Sequence, residues 1–391
     1  MKSDTFCLAP WVHSAVVVGT ELKPCCMSQL THSNTYHNYL NWWNGADMAA
    51  LRKDLVNGVK HPSCQTCWKT EELGKESLRQ GYNKLFSPYT DFALLKHNIN
   101  NDNFQNIPLP TTWELGIGNL CNLKCIMCDP IRSDKILDEV LDNLSRFKNF
   151  PLINQQANSV TQQNWIETDS GKQFFDLIRS HVKWIKIQGG EALTVKGIRD
   201  FIESLDGENI TLAITTNGTV LDKRLLTALS RFKKVEIAIS VEAIGTANDV
   251  IRYGSNWETI EKNIDLLKQQ PNISVQLNHV LQSTSVLFLP QVLEFAEQNG
   301  LPLCLLRLTS PSYLSLSSIP LHHLDKLIHT IDLIDIKQSC NITIKQYLKN
   351  IRKSIKYDPE LHKQFQFYVS TLDSIREQKL TPHITSLLCG T

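Results

Sequence analysis

The stretch Asn119-Leu-Cys-Asn-Leu-Lys-Cys-Ile-Met-Cys128 decides how the rest of this chain is read. Cys121, Cys125 and Cys128 stand at C-x3-C-x2-C. That loop is tight enough to wrap three thiolates around three corners of an iron–sulfur cube while the fourth iron keeps no protein ligand. Such an iron is a seat for a substrate or cofactor. A structural zinc site closes its tetrahedron with four protein ligands, and no nearby His or Cys follows Cys128 to supply the fourth. Cysteines that merely pack a core seldom fall three in eight residues.

From Thr112 onward, short β-rich runs alternate with longer amphipathic ones, the pattern of βα units around a parallel sheet. Six strands are predicted: Trp113–Gly118, Trp184–Gln188, Thr211–Thr215, Val235–Ser240, Val275–Val280 and Leu303–Leu308. Helices are predicted at Thr194–Leu205, Asp222–Phe232, Asn256–Gln269, Leu289–Gln298 and Leu321–Ile334. Six parallel strands are too few for the closed eight-stranded barrel, so the fold class is α/β, a partial (βα)6 TIM-like barrel. Functional residues of such folds collect in the loops after the strand C-termini, and the cysteine loop follows the first strand. More than fifty residues separate Asp129 from Trp184, with Asn154–Asn164 rich in Gln, Asn and Ser. That insert reads as helix plus a mobile polar loop that covers the substrate mouth.

The cysteine loop resembles that of the radical S-adenosylmethionine (radical SAM) superfamily, and the likeness extends to later segments. The resemblance implies a [4Fe–4S] cluster on Cys121, Cys125 and Cys128 whose free iron is chelated by SAM. It also implies reductive cleavage of SAM to a 5′-deoxyadenosyl radical that abstracts hydrogen from substrate. Met127 stands where that family usually has an aromatic residue beside the adenine. Ile187-Gln-Gly-Gly-Glu191 is similar to the segment that receives the SAM amino group, which assigns Gly189, Gly190 and Glu191 to it. Glycines let backbone approach a ligand, and a carboxylate accepts hydrogen bonds from an ammonium. By the same resemblance Ser240 and Glu242 face the SAM ribose, although the family more often has Asp-Gly where this chain has Glu242-Ala243. Arg252 is similar to an arginine that pairs with the SAM carboxylate. Asn217 and Asn278 fall at strand ends facing the same mouth.

Upstream, Cys7, Cys25, Cys26, Cys64 and Cys67 lie among aromatic and turn residues. The run from Cys7 to Cys25-Cys26, turning at Gly19, reads as a β-hairpin that brings Cys7 and Cys25 together. Cys64-Gln-Thr-Cys67 opens a charged helix and offers two thiolates on one side. Two such pairs can close a site completely, as a structural zinc or a fully ligated iron–sulfur cluster requires. The arrangement resembles the Twitch module, a shortened SPASM domain. That resemblance implies a second, auxiliary [4Fe–4S] cluster on Cys7, Cys25, Cys64 and Cys67, with Cys26 as an alternative to Cys25 and zinc as an alternative to iron. The module usually follows the barrel, whereas here it precedes it. The expected organisation is a Twitch-like module over 1–85, a connector over 86–111, the barrel over 112–310 and a helical C-terminal extension over 311–391.

Length and composition agree with this organisation. A chain of 391 residues with 42% apolar and 20% charged residues can bury a large core, and its net charge of +1 recruits no nucleic acid. No apolar run reaches the length of a membrane span, so a cytoplasmic protein with reduced thiols is expected. Lys345, Lys349, Arg352, Lys353 and Lys356 form one face of a tail helix and read as a solvated basic side. Cys304, Cys340 and Cys389 stand alone as packing or surface thiols.

The expected function is hydrogen abstraction by a radical SAM enzyme. The Twitch and SPASM resemblance implies a peptide or protein side chain as substrate, undergoing crosslinking, epimerisation or oxidation. A sugar, nucleotide or aminoglycoside is the alternative substrate, and a small electron donor such as flavodoxin or ferredoxin is the expected partner. A non-catalytic iron–sulfur sensor or electron carrier is the reading of a different class, although it has no use for an open iron or a Gly-Gly-Glu segment.

Overall fold

A computed structural model describes residues 3–17, 21–32, 38–160, 165–338 and 341–378. Gly19, Cys340, Cys389 and the 161–164 part of the polar stretch lie outside the described residues. Eight strands are described: β1 (His13–Val17), β2 (Glu21–Lys23), β3 (Thr112–Gly116), β4 (Trp184–Gln188), β5 (Thr211–Thr216), β6 (Lys234–Ser240), β7 (Ile273–Leu281) and β8 (Leu303–Arg307). Their order in the sheet is β2-β1-β3-β4-β5-β6-β7-β8. The pairs β1/β3, β3/β4, β4/β5 and β7/β8 are parallel, and β1/β2 is antiparallel. This is the mostly parallel α/β sheet expected of a partial TIM-like barrel, and a helical C-terminal region follows it. All six predicted strands form, with ends within two residues of those expected.

The chain divides into two compact units. The first comprises residues 1–118, 162–214 and 227–235. The predicted hairpin is present, with Val16 opposite Leu22 and Val17 opposite Glu21. It does more than present cysteines, because β1 also pairs with β3 from His13↔Thr112 to Val16↔Leu115. The N-terminal segment therefore extends the sheet of the βα units. No local pattern in the sequence announces a pairing between residues about a hundred positions apart. Every residue of β3 is buried, as befits a strand covered on both faces. Tyr39, Trp43, Trp113 and Phe174 pack edge and face at 5.2–6.1 Å around it. Helices α1 (Gln65–Glu72) and α2 (Leu78–Phe86) complete the N-terminal part, and Ser77 and Gln80 cap α2 reciprocally.

The second unit comprises 119–161, 215–226 and 236–391. After the cysteine loop come α3 (Asp134–Asp142) and α4 (Pro151–Ser159), two of the helices of the insert. Further on, α5 (Thr246–Ile251), α6 (Trp257–Lys268) and α7 (Leu289–Asn299) follow their strands. Asn256 caps α6 by accepting from Thr259 N–H, and Gly300, at φ +66°, closes α7 in the left-handed region. The C-terminal helices are α8 (Leu321–Asp332), α9 (Thr343–Ser354) and α10 (Pro359–Arg376). Ile344, Leu348 and Ile351 of α9 are buried, while Lys349 and Arg352 pair with Asp332 and Asp325 of α8. Much of the basic face of α9 thus serves packing within the tail.

Candidate functional site

Gly118-Asn-Leu-Cys is shaped by polar side chains folding back on its own backbone. Cys121 N–H donates to Asp134 Oδ1 at 2.8 Å, Asp134 N–H to Asn119 C=O at 2.7 Å, and Asn119 Nδ2 to Pro130 C=O at 3.2 Å. The loop is thereby fastened to the start of α3. Asn217 straps it from the side: its Nδ2 donates to Asn122 Oδ1 at 2.9 Å, while its Oδ1 accepts from Thr219 N–H at 3.0 Å. Tyr368 of α10 donates to Ile126 C=O at 3.1 Å, between Cys125 and Cys128. Sequence reasoning missed this contact, because a hydroxyl 242 positions away carries no local signal.

Burial pushes the Cys125 thiol up, partly offset by the Arg252 guanidinium. Cys128 is also pushed up, by burial and then by Cys125, Asp129 and Cys121. These are neutral thiols unless a cation draws off their protons. Among the described residues no three His, Cys, Asp or Glu side chains converge closely enough to hold a metal ion as they stand.

Arg252 is buried at the end of α5. Its Nη1 lies 3.6 Å from Cys125 Sγ, its Nη2 donates to Glu242 Oε1 at 2.7 Å, and its buried Nε has no partner among the described residues. That orphaned donor fits an anionic group arriving beside the cysteines. Glu242 is 0% exposed, and its other oxygen accepts Val280 N–H at 3.1 Å. The carboxylate thus points at Arg252. Ser240, Met127 and Asn278 are half-buried, and Asn278 C=O accepts Val241 N–H at 2.8 Å.

In the first unit, Gly189 adopts φ +148°, and a Cβ there would lie 2.6 Å from Ile117 Cγ1. Only glycine fits that approach. Gly190 N–H donates to Gly118 C=O at 2.9 Å. Glu191 is 0% exposed, and its Oε1 accepts Leu193 N–H at 3.2 Å, capping the short turn Ala192–Thr194.

The first unit also contains a pocket lined by Cys7, Cys25, Cys64 and Cys67 together with Met27, Arg79 and Tyr82. The segment after the hairpin delivers Cys25, the segment before the short helix Ala9–Val12 delivers Cys7, and the N-cap and first turn of α1 deliver Cys64 and Cys67. Burial pushes Cys7 up to about 12 and Cys64 up to about 11, and it raises Cys25 as well. Cys26 is not among the lining residues; its Sγ lies 3.5 Å from Tyr82 Oη, which donates to Glu114 Oε2 at 3.2 Å. Arg79 stands over the pocket, held by Glu71 through two bonds of 2.9 Å and by Phe6 C=O at 2.7 Å. A fixed cation beside four thiols suits a site that becomes anionic when they ionise. Cys304 is exposed on β8.

Residues 115–282 match the Radical SAM superfamily. No curated protein matches the chain by sequence. Among solved structures, anSMEcpe with bound AdoMet aligns at 18% identity and a TM-score of 0.35, covering 57% of this chain and 60% of its own. SuiB from Streptococcus suis bound to precursor peptide SuiA aligns at 15% identity and a TM-score of 0.36, covering 84% and 71%. TYW1 with a lysine-pyruvate adduct aligns at 15% identity and a TM-score of 0.32, covering 57% and 70%. The chain spans about three-fifths of the length of anSMEcpe. The matched residues 115–282 hold the three-cysteine loop and the Gly-Gly-Glu segment, so the likeness to the radical SAM superfamily falls on the residues of the candidate site.

Proposed function

We propose that the protein is a radical SAM enzyme with two iron–sulfur sites, and the observation that carries this reading is the C-x3-C-x2-C loop inside the radical SAM match. Cys121, Cys125 and Cys128 would hold a [4Fe–4S] cluster. When reduced, such a cluster supplies the electron that cleaves bound SAM, and the substrate then loses a hydrogen atom. Arg252 would offer its unpartnered Nε to the SAM carboxylate, and on the family resemblance Glu191 would offer a carboxylate to the amino group. Gly189 and Gly190 keep side chains out of the approach. Met127, Ser240, Asn217 and Asn278 line the expected mouth, with Glu242 acting through Arg252.

Cys7, Cys25, Cys64 and Cys67 would hold the auxiliary [4Fe–4S] cluster. Their sharing one pocket with Arg79 supports this, and the engagement of Cys26 with Tyr82 favours Cys25 as the ligand. The substrate class proposed is a peptide or protein side chain, on the Twitch and SPASM resemblance, with flavodoxin or ferredoxin as electron donor. Among the described residues, no helix is long and apolar enough to cross a membrane.

Anaerobic reconstitution should give about eight irons, and replacing Cys121, Cys125 and Cys128 with Ala should leave about four. Reduced protein incubated with SAM should form 5′-deoxyadenosine. A protein that binds iron on the loop yet leaves SAM intact would be a sensor or electron carrier, and zinc at the N-terminal thiols would remove the auxiliary cluster.

A further inference from the structure

Cys125 and Arg252 are set against each other by backbone. Lys124 N–H donates to Tyr253 C=O at 2.8 Å and Ile126 N–H to Ile251 C=O at 2.9 Å, so two short segments are clipped on either side of the pair. Between these clips, Arg252 Nη1 lies 3.6 Å from Cys125 Sγ. The guanidinium cannot easily turn away, because its Nη2 is held by Glu242 Oε1 at 2.7 Å. Glu242 is itself fixed: Oε2 accepts Val280 N–H at 3.1 Å, and its own N–H donates to Asn248 Oδ1 at 3.0 Å. Glu242 is 0% exposed and Arg252 8% exposed, so water screens neither. His279, also buried, lies with Nδ1 3.9 Å from Glu242 Oε2 and 3.1 Å from Val241 C=O.

We propose that Arg252 donates a hydrogen bond to the Cys125 sulfur when that sulfur ligates iron, and that Glu242 is the positioning residue that aims it. The pair thereby sets the reduction potential of the loop's cluster. The proposal rests on the reading of Cys121, Cys125 and Cys128 as cluster ligands. Hydrogen bonds and positive charge at a ligand sulfur stabilise the reduced, more negative cluster and so raise its potential. A buried carboxylate beside the guanidinium offsets part of that charge. The two partners therefore push the potential in opposite directions, which a purely structural pair would not do.

The test is an EPR-monitored redox titration of reconstituted, SAM-free protein, following the signal that disappears in the Cys121→Ala/Cys125→Ala/Cys128→Ala variant. Glu242→Gln, which keeps shape and the guanidinium but removes the countercharge, should move the midpoint to more positive potential. The double variant Glu242→Gln/Arg252→Gln, which also removes the donor, should move it to more negative potential than the native protein. Arg252→Lys keeps a cation without the fork and should titrate between native protein and the double variant. It serves as the measurement if the double variant does not hold iron. Unchanged midpoints in variants that hold native iron overturn the role of Arg252. If the triple cysteine variant retains the native iron and every native signal, the assignment of the loop itself fails, which is a different result.

Discussion

At the residue scale, the candidate site is built from polar groups that hold one another before they hold anything else. Glu191 caps its own turn, Asn217 straps Asn122, and Glu242 aims Arg252. Glu191 is the residue whose two duties can be separated. Glu191→Gln keeps an amide oxygen to accept Leu193 N–H and loses only the charge. The expected outcome is an unchanged cluster spectrum with SAM binding weakened by about 1.5–3 kcal/mol, the contribution of a charge-assisted bond, measured by equilibrium dialysis. Native affinity in this variant would remove Glu191 from the SAM site. The family resemblance singled out Glu191, Glu242 and Arg252, whereas the partner of each was not legible in the sequence, because Glu242 faces Arg252 only once β6 and α5 are folded.

At the element scale, the N-terminal pocket takes its thiols from the segments on either side of the hairpin and from the N-cap and first turn of α1. Replacing Cys64 and Cys67 with Ala removes the α1 pair and leaves the loop of Cys121, Cys125 and Cys128 intact. We expect formation of an oxidised product to stop while uncoupled SAM cleavage continues, measured by product and 5′-deoxyadenosine yields. Loss of both activities with aggregation would mark the thiols as a structural staple. The C-terminal helix α10 has a separate role beneath the cysteine loop. Arg376 donates to Glu139 of α3 at 2.7 Å, with 1% and 2% of the two side chains exposed, and it stacks over Tyr253 at 5.1 Å. Arg376→Met should destabilise the protein by about 3 kcal/mol, since Glu139 stays buried short of its main partner. Glu139→Gln/Arg376→Met should recover much of that loss in urea unfolding.

At the scale of the whole molecule, the sheet carries a buried histidine that makes stability depend on pH. His13 is 0% exposed, its Nδ1 lies 3.0 Å from Thr112 Oγ1, and its ring stacks on Phe86 at 4.5 Å. Burial pulls its pKa down to about 4, against the opposing pull of Glu114. The neutral ring is favoured in the fold, so its contribution is fully present above the unfolded value near 6.5 and is lost as pH falls from there toward 4. Between pH 7 and pH 5 this amounts to about 2 kcal/mol, and a His13→Phe variant should lose that part of the pH dependence in denaturant melts. The sequence by itself determined the thiol spacing, the Gly-Gly-Glu turn and the six strands of the βα units. Those signals are local, set by chain geometry and by side-chain periodicity over a few residues. Tertiary structure alone decided that β1 joins β3, that Cys25 and not Cys26 lines the thiol pocket, that Arg252 is clipped against Cys125, and that Tyr368 reaches Ile126. Each of these depends on which distant segments share buried space, and the free energy that selects them comes from packing over the whole chain.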